Sequence, residues 1–415
     1  MILKIPLDKI VGYIVQQIRG IQGGGPSVFF KKLKVLFFIV LSLPIIILIR
    51  LLRPLIIIRF GLLVGQRIGH FAGNTELYLC ERDAGIQGDN IYDFFFVPGP
   101  VCNEQLEKMW KRALPISKYV GYLYRANHCL PGYKSHLVST HSDRDVHNLI
   151  SQTRPHVSFT EAEEQIGQQG LKAMGLPEGM PFFCFIGRDP AYLEASFPGD
   201  NCDHHNYRDM DIKAFVPTVQ ALIQKGYFGI RMGCVVQAPL HFEDARYVDY
   251  ATKHRTNFLD MYLSEKCHFF VNGMSGLDAV PMFVFRRPTV QVNSVPIECM
   301  HFSCMNALYI FKKLWLTQEH RFLTFSEILQ SRAGRMLRTE QYKDAGIKLI
   351  DNTSDEICAV ALEMESRIQG TWETTGEEED LQNRFRQILQ CNGFNTVFNA
   401  RVGADFLSQN QELLN

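Results

Sequence analysis

Three polar segments of this chain carry the residue types that bind anions. Arg188 and Arg231 each stand at the end of a run of apolar, β-forming residues. A third such run ends in a turn of small polar residues, whose members include Asn272, Gly273, Ser275 and Gly276. Arginine forms planar, bidentate hydrogen bonds with phosphate oxygens, and a glycine-containing turn lets backbone N–H groups approach a ligand closely. These residues therefore predict a site for an anionic, sugar-bearing molecule, with the arginines and the turn suited to a diphosphate group.

Other polar residues could complete the chemistry of such a site. His70 follows the first predicted strand beyond residue 54, and an imidazole titrates near neutral pH, so His70 could accept a proton from a hydroxyl group. Tyr207 and Arg208 lie in a polar loop, and Asp278 follows the small-residue turn, so all three are candidates for the same cleft. A packing role for the histidine and a helix-capping role for the aspartates of the polar loop remain open alternatives.

The elements that must position these residues alternate between strand and helix. Apolar runs predict strands at 55–64, 93–97, 182–186, 227–230, 289–292 and 347–350, besides the run that begins at Cys267. Helical spacing predicts helices at 103–112, 161–174, 212–225, 258–264, 354–367 and 377–389, and another after residue 276. This alternation is typical of parallel sheets with helices on both faces. Since ligands bind at the carboxyl ends of such strands, the three polar segments are expected to meet there.

The same pattern predicts how the chain is divided. A stretch rich in Pro and Gly at 175–181 separates two strand–helix series, which predicts an α/β protein with two Rossmann-like lobes facing a cleft. The N-terminal lobe would be 55–175, and the C-terminal lobe 181–370. A helical tail would follow at 371–415. Residues 1–54 are predicted to form an amphipathic helix and a hydrophobic membrane anchor.

The anchor is predicted from an apolar run at 35–49 with basic residues on both flanks. It is shorter than the roughly 20 apolar residues that a spanning helix needs. Pro44 would bend a helix, and the Gly-Gly-Gly-Pro sequence at 23–26 is expected to end the basic helix before it. A kinked re-entrant or in-plane anchor is therefore favoured over a single spanning helix and over a buried helix. We expect membrane association at the cytoplasmic face of the inner membrane.

The composition limits the classes of partner and cofactor. The 415 residues carry 43 Lys plus Arg and 43 Asp plus Glu, so no overall positive field attracts nucleic acid. The eleven cysteines are scattered and without a Cys-x-x-Cys pair, which favours reduced thiols over a disulfide framework. Adjacent ligand types at 202–205 lack a second cluster at zinc-site spacing, so no bound metal is predicted.

Five short motifs give the chain a resemblance to a known family. In chain order they are Arg67-Ile-Gly-His70, Tyr207-Arg-Asp-Met-Asp211, Ile230-Arg-Met-Gly233, Asn272-Gly-Met-Ser-Gly276 and Pro288-Thr-Val-Gln-Val-Asn293. With this order and spacing the chain resembles a family of bacterial glycosyltransferases that are encoded among surface-polysaccharide genes. The resemblance covers residues 57–360 and leaves out the N-terminal segment. It implies a GT-B fold, in which the N-terminal lobe is the acceptor side and the C-terminal lobe holds most of a nucleotide-sugar donor, and it implies catalysis without a bound metal.

The sequence therefore predicts a glycosyltransferase for hexosyl or related glycosyl transfer. It would move a sugar from a nucleotide-sugar donor to a glycan or lipid-linked acceptor in surface-polysaccharide biosynthesis, and would need no cofactor besides that substrate. Two alternatives remain. One is a sugar-nucleotide epimerase of the same two-lobed fold, and the other is a non-catalytic, membrane-bound scaffold that binds a glycan or a nucleotide.

Overall fold

The computed structural model describes residues 7–138, 144–196, 198–199, 201–394 and 397–415, with side chains from residue 27 onward. Its strands in chain order are β1 (Ile57–Leu62), β2 (Ile91–Phe96), β3 (Leu137–Val138), β4 (Phe182–Gly187), β5 (Phe228–Arg231), β6 (Tyr247–Val248), β7 (Phe270–Gly273), β8 (Thr289–Ser294), β9 (Ala307–Phe311), β10 (Lys313–Leu316), β11 (Arg321–Phe322), β12 (Ile347–Ile350) and β13 (Arg401–Val402).

The helices follow the predicted alternation with these strands. In chain order they are α1 (Leu7–Leu51), α2 (Ile68–Asp83), α3 (Glu104–Ala113), α4 (Val120–His128), α5 (Glu161–Ala173), α6 (Ala191–Ser196), α7 (Val216–Gln224), α8 (Tyr250–Lys253), α9 (Asn257–Lys266), α10 (Phe325–Gln330), α11 (Thr339–Asp344), α12 (Ser354–Gln369), α13 (Gly376–Cys391) and α14 (Ala404–Gln409).

The chain forms two compact units. The first comprises Met1–Leu63, Gly88–Pro98 and Leu114–Ser139, and the second comprises Val64–Gln87, Gly99–Ala113 and Thr140–Asn415. The units do not coincide with the segments 55–175 and 181–370 of the sequence analysis, and those boundaries stay a prediction.

In the first unit a small parallel sheet carries two helices. The strand order is β2-β1-β3, and α1 and α4 pack against the sheet. The buried cluster that joins them consists of Ile46, Phe60, Phe96, Val120 and Ala126. Because these side chains come from both helices and from β1 and β2, the C-terminal part of α1 belongs to the core of this unit.

Helix α1 differs from the prediction. It runs without a break from Leu7 to Leu51, so the expected end at 23–26 is wrong, and Pro44 lies inside the helix. The packing of Leu43 and Ile46 on the rest of the unit holds the helix on both sides of the proline. Within the described residues, Ser27–Leu51 is the one helical segment that is long and apolar enough to cross a membrane, with a mean hydropathy of 2.5.

The second unit is built on a seven-stranded parallel sheet. Its strand order is β13-β9-β8-β7-β4-β5-β6, and the long central strands are buried on both faces, as in other parallel sheets covered by helices. From β4 the chain passes outward through β5 and β6, and then returns to β7 on the opposite side of β4. The strand order therefore reverses between β4 and β7. The α/β class with parallel sheets is confirmed.

Two local features of the second unit were not foreseen. The predicted strand 347–350 is β12, which joins a separate antiparallel sheet of order β11-β10-β12. The helix expected after residue 276 is a 3₁₀ turn, Gly276–Asp278, followed by one π-helical turn, Val280–Val284. Pro281 lacks an N–H group, and the amide of Phe285 bonds to the carbonyl of Val280 at 3.1 Å, which is the π-helical spacing.

Candidate functional site

A cavity of about 620 Å³ lies at the carboxyl ends of β4 and β7, and its lining residues all belong to the second unit. The two strands run side by side with Gly187 opposite Gly273. One residue after the end of β4, the backbone amide of Arg188 donates to the carbonyl of Gly273 at 3.0 Å. The cavity therefore occupies the point where the strand order reverses, which is where open α/β sheets bind their ligands.

Two helix starts meet at this cavity. A Cβ on Gly69, in the first turn of α2, would lie 3.2 Å from the carbonyl oxygen of Gly276, in the first turn of the 3₁₀ segment. The absence of a side chain at Gly69 allows this close backbone approach. The N-cap residue of α2, Arg67, makes no side-chain capping bond, and α2 has no acidic residue in its first turn. The N–H groups of the α2 start therefore keep their attraction for an anion.

Ser275 organises the second of these helix starts. Its Oγ accepts a hydrogen bond from the amide of Leu277 at 3.3 Å, and its own amide donates to Oδ1 of Asn272 at 3.1 Å. Met274 has a φ of 57°, a left-handed conformation that is uncommon for a non-glycine residue. Such strain is found most often at binding sites, because the surrounding structure has to maintain it.

Several cationic side chains crowd one wall of the cavity. Arg188 pairs with Asp209 and donates to the carbonyl of His205 at 3.3 Å. Burial, and then the positive charge of Arg208, lower the pKa of Arg188 to about 10. The same two causes, burial first, lower the pKa of His205 to about 4, so its imidazole is neutral at physiological pH. The positive charge of Arg208 therefore acts on both Arg188 and His205 across this wall.

Arg208 has a buried Nε atom without a hydrogen-bond partner among the described residues, and the buried Nδ1 of His205 also lacks one there. The guanidinium lies over the ring of Tyr207, 5.5 Å from its centroid. A buried polar group without a partner costs about 1–3 kcal/mol, so native structures rarely retain one without a reason. An anion in the cavity would supply the missing acceptor for Arg208.

Asp278 is the acidic group at the base of this arrangement. Gln291 Nε2 donates to its Oδ2 at 2.9 Å, and Gln291 Oε1 in turn accepts from Asn272 Nδ2 at 2.7 Å. Burial raises the pKa of Asp278 to about 6, against the opposing effects of the Gln291 hydrogen bond and the Arg208 charge. A carboxyl group with this pKa can exchange a proton near neutral pH, as a general base or acid requires.

The structure places most of the predicted residues in the cavity lining. These are His70, Arg188, Tyr207, Arg208, Ser275, Gly276 and Asp278. Arg188, Ser275 and Gly276 meet because they follow the ends of neighbouring strands, as the sequence pattern predicted, whereas His70 comes from α2 and Tyr207 and Arg208 from the segment 203–208. The catalytic role of His70 and the donor-binding roles of the others stay predictions.

Arg231 is a correction, because its side chain does not reach the cavity. It is 2% exposed, and its Nη1 donates to the carbonyl of Ala238 at 2.8 Å and approaches Oδ2 of Asp249 at 3.4 Å. The last residue of β5 points into the protein, where the guanidinium ties the 238–249 segment to the strand. A phosphate contact would require breaking a buried ion pair.

Asn272 and Gly273 are the second correction. The side chain of Asn272 is buried and bonds to Gln291, and it does not line the cavity. A Cβ on Gly273 would collide with Sδ of Met210, so this glycine makes room for a packed methionine. Of the predicted turn, Ser275 and Gly276 alone line the cavity.

Several lining residues were not identified from the sequence as site candidates. They include Cys102, Arg144, Tyr192, Arg255, Asp260 and His301. Arg255 forms an ion pair with Asp260 at 2.8 Å, and Asn103 donates to the same carboxylate at 3.4 Å. These residues come from loops and helix ends far apart in sequence, and no spacing pattern connects them before folding.

Potential metal ligands are already engaged in other contacts. Within the described part of the chain, Glu76, Cys80 and His156 place ligand atoms within 4.8 Å of one another. Arg286 donates to Glu76 at 2.7 Å, however, and His156 bonds to the same oxygen at 2.9 Å, so a cation there would face a guanidinium. The carboxylate of Asp211 is also engaged, because its Oδ1 accepts from the amide of Lys213 as a helix cap. Catalysis without a metal stays a prediction.

Comparisons with known proteins give low similarity. No protein-family model matches the chain, and no curated protein matches it. The solved structure of an E. coli ADP-heptose LPS heptosyltransferase II is 14% identical, with a TM-score of 0.37 over 61% of this chain and 90% of that one. A glycosyl transferase family 9 protein from Veillonella parvula is 11% identical, with a TM-score of 0.41 over 62% and 86%. The wall teichoic acid polymerase TagF is 9% identical, with a TM-score of 0.26 over 69% and 71%. Similarity at this level carries no conclusion about the activity of this chain.

Proposed function

We propose that this chain is a glycosyltransferase that takes a nucleotide-sugar donor in the cavity at the carboxyl ends of β4 and β7. The observation that carries the proposal is the wall of Arg188 and Arg208, with the unpartnered Nε of Arg208, facing the paired starts of α2 and the 276–278 turn. Guanidinium groups and helix N–H groups together suit a diphosphate, since both donate to phosphate oxygens. A volume of about 620 Å³ is within the size range of small-molecule sites.

The proposed step is the transfer of a glycosyl group. An acceptor hydroxyl oxygen forms a bond to the anomeric carbon, the bond from that carbon to the diphosphate oxygen breaks, and the acceptor proton passes to a base. The diphosphate leaves with both electrons of the broken bond. Arg188, Arg208 and the N–H groups stabilise the charge that develops on it, which is often the largest catalytic contribution.

Two residues are candidates for the base. His70, the candidate from the sequence, lies in the first turn of α2, and Asp278 is the last residue of the 276–278 turn. Asp278 is favoured by its pKa of about 6 and by the hydrogen-bond chain through Gln291 to Asn272, which fixes its orientation. His70 would then bind the acceptor or the donor sugar.

The acceptor belongs to the proposal as well. The resemblance of the five sequence motifs favours a glycan or a lipid-linked acceptor in surface-polysaccharide biosynthesis. We propose metal-independent transfer, in which the arginine side chains and N–H groups neutralise the diphosphate. Transfer that persists in excess chelator is the expected result, and loss of transfer that added Mg²⁺ restores would contradict this part.

The direct test is incubation of the full chain with a panel of nucleotide sugars, with and without lipid-linked acceptors, followed by mass spectrometry of the products. A glycosylated acceptor and a released nucleoside diphosphate support the proposal. An isomerised nucleotide sugar identifies the epimerase instead, and binding without any product identifies the scaffold. The matched variants are Arg208→Gln in the cavity and Arg154→Gln at an exposed arginine that does not line it.

A further inference from the structure

We propose that α1 binds an anionic lipid bilayer through one apolar face while it lies in the plane of the membrane. This inference concerns the first unit alone and is independent of the proposed function. It rests on the exposure, the packing and the charges of the described part of α1.

One face of α1 is apolar and unpacked. Six of its apolar side chains are each 56–66% exposed: Phe30, Leu36, Phe37, Val40, Leu41 and Leu48. At 3.6 residues per turn, these positions fall within about half of the helix circumference. A continuous apolar surface formed by six exposed side chains of one helix is uncommon on a protein that contacts only water, and such a surface marks a site of interaction.

The opposite face of α1 is packed on the protein itself. Ile39, Leu43 and Ile49 lie against the buried cluster around Ile46. The ring of Phe38 stacks on Tyr122 with the centroids 5.0 Å apart. These contacts come from residues 38–49, so the second half of the apolar segment is fixed to α4 and the sheet.

Arg50 fixes the end of this packed face. Its guanidinium donates to Oδ1 of Asn127 at 2.7 Å and to the carbonyl of Pro131 at 2.5 Å. Both partners lie at the end of α4 or directly after it. The orientation of α1 about its own axis is therefore determined by the protein, and with it the direction in which the apolar face points.

This packing decides between a spanning helix and an in-plane helix. Of the apolar segment Ser27–Leu51, only the residues before Phe38 lie outside the packed part. At 1.5 Å per residue they reach about 16 Å, roughly half of a 30 Å hydrocarbon core. Crossing the bilayer would draw α4, together with Arg50 and its partners, into hydrocarbon, where polar groups are costly. An in-plane helix buries the apolar face and leaves these groups outside.

The charges near this face identify the occupant as a lipid surface. Lys31, Lys34 and Arg53 are exposed on the helix and just beyond its end. Basic residues beside an apolar helical face attract anionic headgroups, which is the pattern of interfacial helices. A second copy of this chain would bring the same positive charges together, so it is the less suitable partner.

Flotation with vesicles tests the binding face. The full chain is mixed with phosphatidylglycerol–phosphatidylcholine vesicles or with phosphatidylcholine alone, and the bound fraction is measured. We expect binding to the anionic vesicles, at least a tenfold loss in the double variant Leu36→Asp/Val40→Asp, and no loss in Ile166→Asp. Ile166 is an apolar residue of α5 with 53% exposure, so it is a matched control. Undiminished binding by the double variant would overturn the proposal.

Protease protection tests the in-plane orientation. A cleavable tag is placed before Met1, and vesicles that display a C-terminal affinity tag outward are selected. Cleavage of the N-terminal tag by added protease is expected, because an in-plane helix leaves both ends on one side. Protection of the tag would show a spanning helix and overturn the proposal. The third outcome concerns self-association of the chain without lipid. If the double variant abolishes self-association but still binds vesicles, the apolar face binds a second copy of the chain, and the proposal is overturned.

Discussion

The backbone amide of Arg188 donates to the carbonyl oxygen of Gly273 at 3.0 Å, joining the ends of two strands that are separated by more than 80 residues of sequence. β4 is followed by β5 on one side of the pair and β7 by β8 on the other, so the connections that leave the two strands diverge and a crevice forms above their ends. The cavity, the crowded arginines and the paired helix starts all follow from this position. The predictions below separate residues that serve a ligand there from residues that serve the fold.

The first prediction concerns Arg208. We expect Arg208→Gln to weaken the binding of a nucleoside diphosphate roughly 10- to 100-fold, because a charge-assisted hydrogen bond contributes about 1.5–3 kcal/mol. The thermal stability should stay the same or rise, since the change removes a positive charge from a crowded wall. Calorimetry and thermal unfolding measure the two effects, and Arg154→Gln is the control. Loss of stability together with loss of binding would assign Arg208 to the fold.

The second prediction concerns the pH dependence of binding. A bound anion raises the pKa values of Asp278 and His205, which lie at about 6 and about 4 in the free protein. Binding then takes up protons, and by linkage the affinity for a nucleotide sugar should rise as the pH falls from 7.5 toward 6. Titration calorimetry in two buffers with different ionisation enthalpies measures the proton uptake. Net proton release on binding would contradict the placement of the anion beside these groups.

The third prediction concerns Asp278 as the proton acceptor. We expect Asp278→Asn to reduce the rate of transfer at least 100-fold, since a positioned base contributes about 10²–10⁴. In the unaltered protein kcat/KM should rise with pH through about 6, as the carboxyl group ionises. The exposed residue Asp89 gives the control variant Asp89→Asn. If the pH profile of Asp278→Asn keeps its inflection near pH 6, another group such as His70 is the proton acceptor.

The fourth prediction concerns the same residue and the stability of the fold. The folded pKa of Asp278 lies above its usual value of 3.8, so the native state binds the proton more tightly than the unfolded chain. Its contribution to the free energy of unfolding is therefore largest below about pH 4 and falls as the pH rises through about 6. We expect Asp278→Asn to gain about 1–2 kcal/mol of stability over the unaltered protein at pH 7.5. Equal stabilities at pH 7.5 in denaturant titrations would contradict the raised pKa.

The fifth prediction concerns Arg231, which the structure removes from the ligand site. Arg231→Ala should lower the free energy of unfolding by about 3–5 kcal/mol, because it leaves Asp249 buried without its partner. The affinity of the folded fraction for a nucleoside diphosphate should change little. The double variant Arg231→Ala/Asp249→Ala should lose less stability than the sum of the single variants. A stable Arg231→Ala protein that fails to bind the diphosphate would restore the original interpretation.

The sequence was sufficient for features that depend on short-range patterns. The runs ending at Gly187 and Gly273 are apolar and rich in β-forming residues, and the structure confirms both as neighbouring strands. The helix predicted at 103–112 is α3, and Oδ1 of Asn103 caps its start by accepting from the amide of Leu106 at 2.9 Å. Residues at strand ends converge in any parallel sheet, so the meeting of Arg188 with Ser275 followed from the pattern alone.

Only the tertiary structure decided which polar side chains reach the cavity. Arg188 and Arg231 stand at equivalent strand ends in the sequence, yet one lines the cavity and the other pairs with Asp249 inside the protein. The turn glycine at 273 makes room for Met210, whereas Gly69 allows α2 to approach the backbone of Gly276. Periodicity records whether a position is buried, since burial repeats with the local geometry of a strand or helix. The partner that a buried group finds depends on segments brought together by packing, and no local pattern specifies that choice.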